Sequence, residues 1–214
     1  MVAPSGTEPT PTPRRRMSAA ERREQLLQVG RAAFAEKGYD AVSVEEIAAR
    51  AGVTKPIVYE HFGGKEGIYA VVLDREVSCL LGDMQVALQG RGARARVEAA
   101  VDAFLGYIED RPDGFRVLLR DTSRNEGANT SWTTVLGDVA DQVDALLADE
   151  LDHRGFDRQL APLYSRGVIG LIAHIGQWWL ETGAPDRREV AAHTANLVFN
   201  GLARIEREPQ LQTR

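Results

Sequence analysis

Apolar residues recur three and four positions apart along almost the whole chain, and no run of four to eight residues alternates strictly between apolar and polar. The pattern predicts helices and no strand. Ser18 followed by Glu21 has the spacing of a capping box, opening a helix with Leu26, Leu27, Gly30, Ala33 and Phe34 inward and stopping at Gly38. Ser43 and Glu46 repeat that spacing, with Val42 and Ile47 at the flanking staple positions, and Gly52 ends this short helix. Thr54 is placed to cap a third, with Val53 and Val58 as its staple and Pro56 tolerated in the first turn. Two short helices joined by a tight Gly-containing turn have the sequence shape of a helix-turn-helix.

After Gly63 and Gly64 a long apolar period carries Ile68, Val71, Val72, Leu80, Met84 and Leu88 up to the Gly90 to Gly92 turn. Helices over 93–110 and 112–120 follow. The stretch Asp121 to Ser131 has no apolar period and reads as a connection. Three more helices are expected at 131–153, 157–182 and 186–206, the last opened by Pro185 and Asp186 with Glu189 three residues on. The expectation is an all-α fold of about nine helices, with the long fourth helix as the joint between two parts. The parts divide as a tail over 1–17, a helix-turn-helix domain over 18–66, a larger helical domain over 67–206 and a short tail over 207–214.

Composition narrows the function. With 214 residues, 43% hydrophobic and 27% charged, the chain is long enough to bury a core and too polar for a membrane protein. No stretch approaches 18 uninterrupted apolar residues and the first 17 lack an apolar segment, so neither a spanning helix nor a secretory signal is expected and the cytoplasm is the expected address. A lone cysteine, Cys79, and four scattered histidines offer no internal disulfide and no zinc site, so neither a metal nor a cofactor is expected. Cys79 reads as an inert thiol, with redox control of DNA release as the alternative. There is no phosphate-cradling Gly-rich loop after a strand, no His pair four apart and no nucleophile elbow, which argues against an enzyme.

The net charge of −5 is unevenly spread, at +1 for residues 1 to 66 and −6 for the rest, and all three lysines (Lys37, Lys55, Lys65) lie in the first part. That part is the better polyanion contact. Four of nine prolines fall within the first 13 residues, so the tail is expected to be disordered; it ends in Arg14, Arg15 and Arg16, either a DNA arm or a solvated charge run.

In a helix-turn-helix the second helix enters the major groove, so Thr54 to Tyr59 are the positions that approach bases. Lys55 can reach a guanine edge or a phosphate, while Pro56 and Ile57 can pack only on a thymine methyl. Ser43, Tyr59, His61 and Lys65 carry groups suited to phosphate oxygens. The competing reading is structural: Ser43 and Thr54 only cap, Tyr59 and Phe62 only fill a small core, and His61 is merely exposed. Glu60 would repel phosphate unless it faces solvent or accepts from a cytosine.

The stretch from Phe34 to Ala70, FAEKGYDAVSVEEIAARAGVTKPIVYEHFGGKEGIYA, decides between them. It resembles, without gaps, the N-terminal domain of the tetracycline-repressor (TetR) family of bacterial transcription regulators, a likeness covering about a quarter of the chain. The resemblance implies a homodimer with two reading heads on a palindromic double-stranded operator, a C-terminal part that binds a small effector, and most often repression. It places the phosphate contacts on Ser43, Tyr59, His61 and Lys65 and the base-reading positions on Lys55, Pro56 and Ile57. An activator or effector-independent regulator is the alternative in mechanism. From another class, the alternative is a helical small-molecule-binding protein whose helix-turn-helix docks a protein.

The last two predicted helices have wide apolar faces, and Gly167, Gly170, Ala173 and Gly176 form a row of small residues that allows close helix approach. A four-helix dimer interface using Leu171, Ile175, Leu197, Val198, Leu202 and Ile205 is expected, against packing within one chain. The expected effector pocket lies between the middle helices, at Phe104, Tyr107, Ile108, Phe115, Leu118, Leu119 and Trp132 with His174 and Trp178. Its apolar character would suit a lipophilic or aromatic effector; plain core is the alternative for each of these residues.

Overall fold

A computed structural model describes residues 17–121 and 132–211 of the chain. The described residues form nine α-helices and no strand: α1 (Ala19–Lys37), α2 (Val44–Ala51), α3 (Lys55–Phe62), α4 (Lys65–Leu88), α5 (Ala93–Asp110), α6 (Pro112–Asp121), α7 (Trp132–His153), α8 (Ala161–Thr182) and α9 (Arg187–Ala203). The expected arm, Arg14 to Arg16, lies outside the described residues, as does the expected connection from Asp121 to Ser131 apart from Asp121, which ends α6.

Local chemistry explains most boundaries. The Ser18 and Glu21 pair makes a full capping box at α1. At α2 the box is half made: Ser43 Oγ accepts from the Glu46 N–H at 3.1 Å, but the Glu46 carboxylate turns away to Lys37 at 2.7 Å and Arg50 at 2.6 Å. Thr54 occupies the N-cap of α3 without a side-chain capping bond, contrary to its predicted role. With Pro56 in the first turn, one of the N–H groups a cap would satisfy is missing. Residues 158–160, expected to open a helix, form a short 3-10 turn capped by Asp157, and α8 begins at Ala161. The last helix stops at Ala203, short of the expected 206, because the Arg154 guanidinium donates to the Leu202 and Ala203 carbonyls at 2.9 Å and satisfies its end.

α4 is the spine. It packs against α1 and α3 near its start, against α5 and α6 along its length, and against α7 beyond; α5 pairs with α9 and α7 with α8. One buried cluster runs from Leu26, Phe34, Ile47 and Val58 in the first three helices through Ile68 and Leu80 of α4 to Leu105, Ile108 and Phe115. A smaller cluster around Ala148, Leu151 and Ala161 closes the α7 to α8 end. No helix among the described residues is long and apolar enough to cross a membrane.

Candidate nucleic-acid interface

The turn between α2 and α3 depends on Gly52, whose φ of 64° lies in the left-handed region that side chains disfavour. The chain reverses there, and α3 is seated by Val58, which is fully buried. One face of α3 is left outward: Thr54, Lys55, Pro56, Tyr59 and Glu60 are exposed, while Ile57 and His61 are half-buried and Ile57 packs on the core. Ser43 is exposed at the start of α2. The outward face therefore carries most of the residues expected to approach a duplex.

All three lysines are held by the chain itself, Lys37 by the Glu46 carboxylate already described. Lys55 donates to the Glu45 carboxylate and lies 5.7 Å from the Tyr59 ring. Donation to the Glu45 carboxylate raises the lysine's pKa, so the ammonium is fixed as a cation. Lys65 donates to the Tyr39 carbonyl at 3.0 Å and sits 4.1 Å over the Tyr39 ring, leaving two of its three N–H donors for a phosphate. Neither Glu45 nor Tyr39 stood out in the sequence, because a contact ten or twenty-six positions away leaves no periodic signal.

Glu45 holds the cation expected to approach DNA, Lys55. Its removal as Glu45→Gln frees a cation and deletes a charge that repels phosphate. The variant should bind duplex DNA several-fold more tightly, with the slope of log affinity against log salt steeper by about one. Fluorescence anisotropy of a labelled duplex over a salt series reads both; an unchanged slope would mean that Lys55 touches no phosphate.

An apolar concavity lies toward the other end of the helices. A cavity of about 420 Å³ opens between α4, α5, α7, α8 and α9, walled by residues such as Met84, Val97, Phe104, Leu147, Ile172 and Phe199. Its volume falls within the range of small-molecule sites. Among the described residues, the charged side chains at its wall are Arg96, Glu150 and Arg154. Arg96 is half-buried and has no ion pair among the described residues, whereas Arg154 is engaged at the end of α9.

This cavity differs from the expected pocket. Of the expected residues, Phe104 lines it. Tyr107, Ile108, Phe115 and Leu118 are buried in core below it, and Leu119 packs against that core. His174 and Trp178 point outward, because they fall on the side of α8 away from α5. The Trp132 side chain lies outside the described residues. Of the positions expected at a dimer interface, Val198 is buried in its own chain, and Leu202 and Ile205 line the cavity. Leu171 and Ile175 are half-buried and Leu197 is 58% exposed. The row of small residues is split as well. A Cβ at Gly176 would meet Phe104 at 2.5 Å, so that glycine serves the α5 to α8 contact, while Gly167 and Gly170 have open space.

The profile of bacterial regulatory proteins of the tetR family matches residues 26–72, and that of the tetracyclin repressor-like C-terminal domain matches residues 83–213. The chain belongs to the TetR family. The HTH-type transcriptional activator FasR of Mycolicibacterium smegmatis is 30% identical over 193 residues, 89% of this chain and 87% of that protein. Among solved structures, a TetR-like transcriptional regulator from Rhodococcus sp. RHA1 superposes with a TM-score of 0.69 at 24% identity, covering 89% of this chain and all of that one. The fatty acid degradation regulator FadR from Bacillus halodurans gives 0.67 at 18% identity, covering 85% and 96%. As a TetR regulator the protein is a helix-turn-helix DNA-binding transcription factor and not an enzyme.

Proposed function

We propose that this TetR regulator works as a homodimer on a palindromic operator and that an amphiphile, an apolar body with an anionic head, occupies the cavity and sets its affinity for DNA. The observation that carries the reading is the cavity wall, which among the described residues is apolar except at Arg96, Glu150, Arg154 and Tyr164. Burial of apolar surface would supply the affinity, at roughly 25 cal/mol per Å². Arg96, which has no ion pair among the described residues, would select the head, since a guanidinium matches carboxylate or phosphate geometry.

Dimerisation is supported by the outer faces of α8 and α9. Leu163 and Trp178 on one and Leu197 on the other are large, apolar and 66%, 46% and 58% exposed, and Gly167, Gly170 and Gly201 beside them leave open space. On that reading Leu163, Gly170 and Trp178 join Leu197 in place of Val198, Leu202 and Ile205 as interface residues. The base-reading role stays with Lys55, Pro56 and Ile57 and phosphate contact with Ser43, Tyr59, His61 and Lys65.

The sign of regulation has a second reading. Repression is the commoner expectation for the family, but FasR is named an activator, which favours activation here. A reporter driven by a promoter that carries the selected operator, with and without the protein, separates the two.

The cavity assignment is tested with one apolar chain bearing three heads. Dodecanoate should raise the melting temperature by several degrees, dodecanol less and dodecylammonium least. Dodecanoate should also change affinity for a duplex selected from a randomised pool, because an effector must favour one state over the other to shift anything. Equal stabilisation by all three would remove Arg96 from recognition; stabilisation by none would remove the cavity as the effector site.

A further inference from the structure

Glu76, in the middle of α4, is 3% exposed and is the one buried carboxylate among the described residues. Its Oε2 accepts from the Tyr107 hydroxyl of α5 at 3.1 Å. Its Oε1 accepts from Arg31 of α1 at 3.3 Å and from Arg111, the one-residue corner between α5 and α6, at 3.3 Å, and the same Arg111 nitrogen lies 3.4 Å from Oε2. Burial and the neighbouring carboxylate push the Tyr107 phenol well up, so it stays a donor.

An isolated buried carboxylate would be too costly to keep charged, so the two guanidiniums are what hold it there. Yet strong charge-assisted bonds are about 2.7–2.9 Å long. Both guanidinium contacts are longer, and Arg31 Nε is buried with no acceptor. One carboxylate thus serves two guanidiniums, and neither is held at the short distance of a tight charge-assisted bond. Either could draw it closer at the other's expense, which gives the cluster two arrangements.

The cluster sits where the reading head meets the cavity. A Cβ on Gly114 in the first turn of α6 would fall 2.2 Å from Glu76 Oε2, so the α6 backbone lies directly on the carboxylate. The next residue, Phe115, packs edge-on against Phe104 with ring centroids 5.6 Å apart, and Phe104 lines the cavity. Contact is unbroken from the cavity wall through α6 and Glu76 to Arg31 in α1.

We infer that Glu76 is the positioning residue that couples the cavity to the DNA-reading head, its carboxylate shared between Arg31 and Arg111 so that a tighter hold on one loosens the other. A small shift of α6 or the α5 end changes which guanidinium holds the carboxylate. That alters how firmly α1, and the α2 to α3 unit packed on it, is fixed to α4. The link to the cavity rests on the effector reading proposed above; the sharing between two arginines does not.

The test therefore uses the full-length protein, a duplex selected from a randomised pool, and no effector. Arg31→Gln leaves Glu76 to Arg111, and Arg111→Gln leaves it to Arg31. The two variants should shift the dissociation constant for DNA in opposite directions, each by roughly fivefold or more. A packing role alone would lower stability and affinity in both. In a Glu76→Gln background the two substitutions should no longer differ in sign. Shifts of the same sign in the native background, or opposite shifts that persist in Glu76→Gln, overturn the inference; if Glu76→Gln does not fold, the signs of the two single variants decide alone. Should the signs be opposite while dodecanoate leaves the protein unaffected, the sharing stands and only the effector reading fails.

Discussion

A methyl group added at Gly67 is expected to cost at least tenfold in DNA affinity and to lower the melting temperature by several degrees. The cause is the close approach of α3 to α4. An ideal Cβ at position 67 would lie 1.8 Å from the Phe62 carbonyl oxygen and 2.9 Å from its carbon. The obstacle is backbone, so no rotamer change relieves it, and either the end of α3 or the first turn of α4 must move. Overpacking of this kind costs about 1–3 kcal/mol. For a protein of this size each kcal/mol is roughly 2–4 °C. α3 has only eight residues, too few to stay helical without its neighbours. Its displacement moves Lys55, Pro56 and Tyr59 together, and a misplaced reading helix loses base and phosphate contacts at once. Gly82 on the same helix is the control, since a Cβ there meets nothing within 4 Å. Gly82→Ala should leave DNA affinity unchanged and hold or raise stability, because alanine is about 1 kcal/mol the better helix former. Differential scanning fluorimetry and anisotropy titration of both variants check this. Equal behaviour of the two alanines would show the α3 to α4 junction to be loose.

Where the sequence reading succeeded, the signal was local. Helix periodicity, the glycines at 38, 52 and 63 and the acid or hydroxyl caps at Ser18, Ser43 and Asp186 each act within a few residues, and each element appears where they place it. The outward face of α3 follows from the same period, since burying Val58 leaves Lys55 and Tyr59 exposed. The residues expected at the pocket are dispersed for the opposite reason. Aromatic residues at helical spacing mark a face of a helix but do not say what meets it. Tyr107 meets both Phe115 and Glu76, whereas His174 and Trp178 are on the far side of α8. The α9 residues assigned to a dimer show the same limit: Leu197 and Val198 are adjacent and necessarily point apart, and only coordinates reveal which of them meets α5. Long-range electrostatics were the least visible. Glu45, Glu76 and Arg96 are unremarkable among so many charged residues, and their importance comes from a lysine, two arginines and an apolar wall distant in the chain.

Blocking the cavity should separate effector response from DNA binding. Ala100, half-buried on α5, lines the cavity one turn before Phe104. A tryptophan there projects into the space that the amphiphile's apolar body would occupy. Because the cavity offers about 420 Å³, the indole can be housed without displacing Leu80 or Phe104 from the core below. Ala100→Trp should therefore fold with unchanged or higher stability and bind the selected duplex as tightly as the parent. It should lose the stabilisation by dodecanoate altogether, a loss of at least a hundredfold in affinity. At a ligand concentration of about 100 times its dissociation constant the parent gains about 2.7 kcal/mol, so the missing shift is several degrees and easily read. Ala95→Trp tests the position and not merely the residue: Ala95 is exposed on the same helix and lies off the cavity wall, so that variant should keep the full shift. If Ala100→Trp retained the stabilisation, the amphiphile would be binding elsewhere, and Arg96 could not be selecting its head. If it lost DNA affinity as well, occupancy of the cavity would itself set the state of the reading head, with the indole acting in the effector's place.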